Sequence, residues 1–332
     1  MSIHHLIITR TPFRVSFIGG GSDMPDFYSR HPGAVLSTTI NKYMYISSHR
    51  FFEPDQIRVK YSKTETVKNV RELQHPILRE VFSQFGISGG LEVSSIADVP
   101  SGTGLGSSSS FTVGLLHNLN VIQNKVVTKD LLAQEACRVE IDLLKEPIGK
   151  QDQYAAAFGG LNVFQFKSSG EVNVEPMHQQ KEVMEQLERN LLLFYTGDQR
   201  RASNILSEQK KNISDDAQFE SLKKMVTLVN DARQAILSNR LDDFGKILHE
   251  NWLLKKGLAS GITNDSIDQA YDAARNAGAI GGKLLGAGGG GFLLFYCPDN
   301  SQPKVIEALK VLRKFDFKFE QEGSKLIHYS DE

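Results

Sequence analysis

Cysteine is nearly missing from this 332-residue chain: Cys137 and Cys297 are the only two. Each stands in an apolar stretch, outside any C-x-x-C or His-rich cluster. That excludes a disulfide framework and argues against a structural zinc site. An excess of one charge is lacking too, because 38 Lys and Arg nearly cancel 39 Asp and Glu, for a net charge of −1. The balance leaves no electrostatic footprint for nucleic acid or an anionic membrane, although a local basic pocket for a small anion stays open. No apolar run approaches the ~20 residues that span a bilayer. The first residues, MSIHHLIITRTPFRVSF, have no basic region followed by a long apolar run and do not read as a signal peptide. The expected location is therefore cytoplasmic, without nucleic-acid or membrane partners. Repeats and low-complexity blocks are also absent.

What remains is a globular composition, 40% hydrophobic and 23% charged, long enough for two domains. Residues 3–18 read as a strand, with Phe13, Val15 and Phe17 alternating against Arg14 and Ser16. The strand ends in Gly19-Gly20-Gly21-Ser22-Asp23, a turn suited to glycine. Further strands are expected within 34–62 and near 90–96, with a helix around 70–85. Helices follow at about 109–122 and 128–145, then a short alanine-rich helix after Gly149 and a strand near 161–166. The polar stretch 168–190 suggests a division into domains at 1–185 and 186–332. The second half reads as a strand at 191–195, helices near 216–238, 241–256 and 264–277, a strand at 291–297, a helix at 302–314 and a closing strand pair. Strands and helices alternate without a βαβ rhythm, which predicts α+β architecture.

Pro100–Ser110 (PSGTGLGSSSS) carries the strongest chemical signal. Gly102, Gly104 and Gly106 free backbone N–H groups, Ser107, Ser108 and Ser109 add hydroxyls, and a helix begins just after. Helix N-termini attract anions, so the segment predicts a phosphate cradle. It is not a Walker A loop, having no Gly-Lys-Ser/Thr. Nor is it a dinucleotide fingerprint, since Ser107 replaces the third glycine. The bland alternative is a flexible Gly/Ser loop with serine caps. Gly286–Gly291 fits G-x-G-x-x-G formally, but a strand follows it where a helix should. It reads equally as a tight turn or a binding loop, with Lys283 tilting it toward anion contact.

Within 128–145, Leu132, Ala133, Ala136, Cys137, Val139, Ile141, Leu143 and Leu144 share one side of a helical wheel, and Glu140 lies at its centre. A carboxylate there needs a cation or strong donors. It is either a structural pair with an arginine or a metal ligand of the kind Mg²⁺ uses. Asp152 reads either as an N-cap or as a proton acceptor beside a glycine turn. Asp23 reads either as an Asx-turn or as an acceptor for a sugar hydroxyl.

Three segments together resemble the GHMP family of small-molecule kinases, named for galactokinase, homoserine kinase, mevalonate kinase and phosphomevalonate kinase. Arg14 through Asp23 is similar to that family's substrate motif, Pro100–Ser110 to its ATP loop, and Lys283–Gly291 to its C-terminal glycine motif. The resemblance implies an N-terminal domain like the second domain of ribosomal protein S5 and a ferredoxin-like C-terminal domain. The active site would lie between them. It implies ATP held by Pro100, Gly102, Gly104, Leu105, Gly106, Ser107, Ser108 and Ser109, and Mg²⁺ held by Ser108 and Glu140. Asp152 and Arg14 would be catalytic. Gly20, Gly21, Ser22, Asp23, Lys283, Gly288 and Arg200 would contact the substrate. For a distal phosphate the chain itself offers Arg200, Arg201, Lys42, Lys150 and Lys283 as candidate cations, with the turn at 200–201 reading equally as a solvated basic one.

Two departures stand out. Galactokinases carry Glu-His where this chain has Gly20-Gly21, and Leu285 replaces a frequent Thr or Ser. Gly149–Gly160 (GKQDQYAAAFGG) and Thr196–Ser203 (TGDQRRAS) are similar to the sugar-1-kinases of the family. They imply transfer to an anomeric hydroxyl, of a heptose 7-phosphate first and of fucose-like sugars second, with a homodimer as the candidate assembly. A non-catalytic sugar sensor, or a kinase for an isoprenoid or amino-acid alcohol, is the rival reading.

Overall fold

The structure, a computed structural model, describes residues 6–197 and 202–330. Its first half contains strands β1 (Ile7–Ile18), β2 (Gly33–Arg50), β3 (Ile57–Lys60), β4 (Thr64–Val67), β5 (Leu91–Ala97), β6 (Asn162–Phe166) and β7 (Val172–Pro176). Helices α1 (Pro25–Tyr28), α2 (Pro76–Gln84), α3 (Ser107–Ile122), α4 (Lys129–Cys137) and α5 (Gln151–Phe158) are set among them. The second half runs α6 (Lys181–Arg189), β8 (Leu191–Tyr195), α7 (Ala202–Asn212), α8 (Asp216–Leu237), α9 (Leu241–Lys256) and α10 (Asp265–Asn276). It ends with β9 (Gly281–Leu284), β10 (Phe292–Tyr296), α11 (Gln302–Ala308), β11 (Arg313–Lys314), β12 (Phe319–Glu320) and β13 (Lys325–Tyr329).

The architecture is α+β. Among the described residues the strands form two sheets. The long β2 is the spine of the first, pairing antiparallel with β1 along its length, with β5 over one half and with β6 over the other. The second sheet is antiparallel, in the order β11-β8-β10-β9.

On β1, Phe13, Val15 and Phe17 face the apolar core, as the alternation predicts. The opposite face does not meet solvent, because Arg14 and Ser16 are buried as well. The core continues from Phe17 onto α9, where its ring meets Phe244 edge to face at 5.4 Å. Val229 of α8 and Leu248 of α9 belong to the same cluster. Each fully buried side chain of this size is worth about 1.5–3 kcal/mol, so the contact between the two halves is a dry, stable one.

The closing strands return to the first sheet. β13 pairs with β1 and β12 with β2. Position 185, where composition divides the chain, falls inside α6.

Several elements differ from their sequence patterns. The helix expected at 302–314 ends at Ala308, and Arg313–Lys314 is a strand that pairs with β8. The helix α7 fills a stretch for which the sequence reading has none. The expected continuous helix over 128–145 is α-helical only to Cys137, and Arg138–Leu143 forms a π-helical turn. A hundred-degree wheel does not apply there, and Leu143, assigned to the apolar side, is exposed.

Candidate active site

A cleft of about 300 Å³ opens where the end of β1, the start of α3 and the start of α5 meet α7, α9 and β9. Its floor is the first glycine loop. Gly106 precedes α3 in the left-handed region (φ 74°) and provides no side-chain cap. The N–H groups of the first turn and the positive end of a sixteen-residue helix are thereby left facing the cleft lined by Ser107, Ser108 and Ser109.

The second glycine loop braces the first. A Cβ on Gly104 (φ 85°) would stand 2.6 Å from the Leu285 carbonyl oxygen, and one on Gly286 (φ 70°) 2.4 Å from the Gly104 Cα. Both side chains must be absent for the loops to touch. This contact, rather than a nucleotide fingerprint, is what the run Gly286–Gly291 serves at its first glycine.

Arg14 reaches across this floor. Its Nε donates to Asp152 Oδ1 at 2.7 Å, its Nη2 to Asp152 Oδ2 at 2.9 Å, and its Nη1 to the Gly104 carbonyl at 2.6 Å. Asp152 is not the cap of α5, since Lys150 occupies that position without a side-chain bond. A Cβ on Gly106 would be only 3.2 Å from Asp152 Oδ2, so the carboxylate stands at the mouth of α3. It is 23% exposed, against 5% for Arg14, and open to a ligand.

Asp23 supplies the bond that α5 otherwise lacks. Its Oδ2 accepts from the Gln151 N–H at 3.2 Å, while Oδ1 accepts from the Gly21 N–H at 2.8 Å and from Gln151 Nε2 at 3.1 Å. Burial raises its pKa, the Asp152 charge adds to the rise, and the backbone donors oppose both.

Glu140 sits in the π-helical turn and is 1% exposed. Ser108 Oγ donates to its Oε1 at 2.9 Å and Gln153 Nε2 to its Oε2 at 2.7 Å. No ion pair is recorded for it among the described residues. Burial pushes its pKa up to about 7, against the hydrogen bonds that lower it. The arginine pairing considered for it is not made: Arg138 pairs with Glu135.

Two buried lysines complete the cleft. Lys283 Nζ donates to the Phe17 carbonyl at 2.7 Å. Lys255 Nζ donates to the carbonyls of Gly286 (2.5 Å) and Leu284 (3.3 Å). Burial, then the Arg14 charge, pulls Lys255 down to about 7, and burial pulls Lys283 well below its usual range.

Most of the residues singled out in the sequence converge here: Arg14, Gly20, Gly21, Asp23, Gly102, Gly104, Gly106, Ser107, Ser108, Ser109, Glu140, Asp152 and Lys283 all line the cleft. Others do not. Ser22 is fully buried and donates to the Gly19 and Ala34 carbonyls. Leu105 belongs to the core and acts through its carbonyl, which accepts from the Arg14 N–H. Gly288 packs on Ile262, and Pro100 is exposed at the loop's outer end. Lys150 turns to the Gly170 carbonyl and Lys42 lies over the Phe315 ring, both away from the cleft. Arg200 and Arg201 lie outside the described residues.

The sequence reading missed Lys255, Ser16, Gln151 and Gln209, which also line the cleft. Lys255 stands in a Leu-Leu-Lys-Lys run (Leu253–Lys256) that reads as an ordinary basic last turn of a helix.

Comparison with known proteins gives the family. Residues 67–160 match the family described as GHMP kinases N terminal domain, and residues 232–312 match GHMP kinases C terminal. The chain is 29% identical to the D-glycero-alpha-D-manno-heptose 7-phosphate kinase of Campylobacter jejuni, over 96% of this chain and 98% of that one. It is 27% identical to the bifunctional fucokinase/GDP-fucose pyrophosphorylase of Arabidopsis thaliana, over 92% of this chain and 31% of that longer one. Among solved structures, a D-glycero-D-manno-heptose 1-phosphate kinase from Bacteroides thetaiotaomicron superposes with a TM-score of 0.79 at 24% identity, covering 97% of this chain and 99% of that one.

Proposed function

The chain belongs to the GHMP kinases, ATP-dependent phosphotransferases with an alcohol group as acceptor, and from that premise we propose that it phosphorylates the anomeric hydroxyl of D-glycero-D-manno-heptose 7-phosphate. One observation carries the chemistry. The Asp152 carboxylate, gripped by Arg14, stands at the open N-terminus of α3. A triphosphate on that helix end would present its γ-phosphoryl group to a hydroxyl resting on Asp152.

The reaction then needs little covalent help. The sugar oxygen bonds to the γ-phosphorus, the bond to the bridging oxygen breaks, ADP leaves, and Asp152 receives the hydroxyl proton. Phosphoryl transfer passes through a loose transition state, so positioning and charge neutralisation supply most of the rate. Arg14 contributes both, because one guanidinium ties the carboxylate to the Gly104 carbonyl of the phosphate loop.

Glu140 and Ser108 fit a divalent cation. A buried carboxylate with only neutral donors and no counter-charge is the costly arrangement that an ion relieves. No three His, Cys, Asp or Glu side chains converge among the described residues, so Mg²⁺ here would take its other ligands from phosphate oxygens and water. When bound, it would neutralise charge developing on the phosphate oxygens.

The substrate assignment rests on the heptose 7-phosphate kinase named above, matched over nearly the full length of both chains. It rests equally on two buried amines that a second phosphate would recharge: Lys255 and Lys283 line the cleft, and each, once protonated, has a donor beyond its carbonyl bonds. A free hexose such as L-fucose is the second reading, since a fucokinase is also similar. Coupled ADP release across heptose 7-phosphate, L-fucose, galactose and mannose, with phosphorus NMR of the product, tests the assignment. A 1,7-bisphosphate made at the highest kcat/KM supports it. Preferred turnover of a free hexose overturns it.

A further inference from the structure

The cleft contains two polar atoms whose bonding is incomplete. Ser16 Oγ and Gln151 Oε1 are buried and meet no hydrogen-bond partner among the described residues. Native proteins seldom leave such atoms unpaired, and each calls for a partner. Ser16 is 4% exposed, and its residue lines the cleft two positions after Arg14 on the same face of β1. Gln151 faces it across Gly20: a Cβ on Gly20 would lie 3.5 Å from both Ser16 Oγ and Gln151 Nε2. Gln151 cannot turn its amide round without loss. Its nitrogen donates to the Asp23 carboxylate, which leaves the oxygen as a committed acceptor.

We infer that Ser16 and Gln151, separated by the missing side chain of Gly20, form a specificity subsite for one secondary hydroxyl of the sugar. The inference rests on the sugar-kinase reading above. A hydroxyl is the group that matches this pair, since it donates to an amide oxygen and accepts from a serine hydroxyl at once. A methylene in its place would leave both protein atoms buried and unpaired, which is how sites built on hydrogen bonds reject deoxy analogues. The subsite is one strand repeat from Arg14, about 6–7 Å along β1, so it addresses a ring position near the reacting hydroxyl rather than that hydroxyl itself. Gly20 is also where a side chain would stand in the gap between the two. It is not one of the glycines held at positive φ, so alanine there fits the backbone and narrows the gap.

Ser16→Ala removes a hydroxyl that bonds to nothing described in the protein, so the unfolding temperature should hold or rise. The sugar KM should rise about tenfold or more while the ATP KM and kcat change little. The sugar that wild type turns over best is then compared with its analogues deoxygenated at one ring carbon at a time. One analogue should lose about 10- to 100-fold in kcat/KM on wild type and less than about threefold on Ser16→Ala, the signature of a direct pair. Gly20→Ala should raise the sugar KM and leave the ATP KM alone.

An unchanged sugar KM in both variants, or equal losses for every analogue on both enzymes, overturns the subsite while the kinase assignment stands. If wild type turns over no sugar of the panel, the sugar-kinase reading fails and the subsite with it.

Discussion

Arg14 and Asp152 meet through two parallel hydrogen bonds, at 2.7 and 2.9 Å, and the third arm of the same guanidinium holds the Gly104 carbonyl at 2.6 Å. The group that would accept the proton and the loop that would hold the phosphates are thus fixed to one planar cation. Lysine cannot reproduce that fork. Arg14→Lys should lower kcat about 10- to 100-fold and raise the ATP KM as well. Steady-state kinetics with each substrate varied in turn checks both parameters.

Glu140 gives a pH signature. Its folded-state pKa is raised to about 7 from 4.5 by burial. Between those values the folded chain keeps a proton that the unfolded chain has released, so stability from this group falls as pH rises through the window. The loss is up to about 3 kcal/mol. Glu140→Gln should flatten that slope in denaturant titrations of the metal-free protein. Mg²⁺ binding to wild type at pH 7 should release about half a proton, read by calorimetry in buffers of different ionisation heat, and Glu140→Gln should release none.

Lys255 has the opposite sign. Burial beside Arg14 lowers it to about 7, so it is largely neutral at pH 8. A phosphate placed next to it restores the charge, and sugar phosphate binding at pH 8 should take up close to about one proton. In Lys255→Met that uptake should vanish, with the sugar phosphate KM raised about tenfold or more.

Gly149 is a steric requirement. A Cβ there would fall 2.0 Å from Asp23 Oδ2, so Gly149→Ala must displace the carboxylate that holds the start of α5. Overpacking of this kind costs about 1–3 kcal/mol. A lower unfolding temperature should accompany a raised sugar KM, with the ATP KM within about twofold of wild type.

Much of this site could be read from the chain because it is built from local anomalies. A carboxylate amid apolar helix positions marked Glu140, and alternating glycines before a helix marked the α3 cradle. The remainder depends on distant partners. Ser16 looks like the solvent side of an alternating strand, yet the fold buries it beside Gly20 at the cleft. Lys255 looks like a helix-end cation until the Gly286 loop closes over it. Asp23 looks like a local turn acceptor until Gln151, 128 positions away in sequence, delivers two donors to it. The π-helical turn at 138–143 escaped because a 3.6-residue wheel cannot register an extra residue in a turn. The return of β12 and β13 to the first sheet escaped because their partners precede them by roughly 280 to 320 residues, counted along the chain.

The account turns on the proton acceptor. Asp152→Asn preserves size and removes the base, so at saturating ATP, Mg²⁺ and sugar phosphate a single-turnover experiment isolates the transfer step. The predicted result is a rate lower by about 10²- to 10⁴-fold with ATP affinity within about threefold of wild type. A rate within a few-fold of wild type would contradict the assignment of Asp152 and the mechanism built on it.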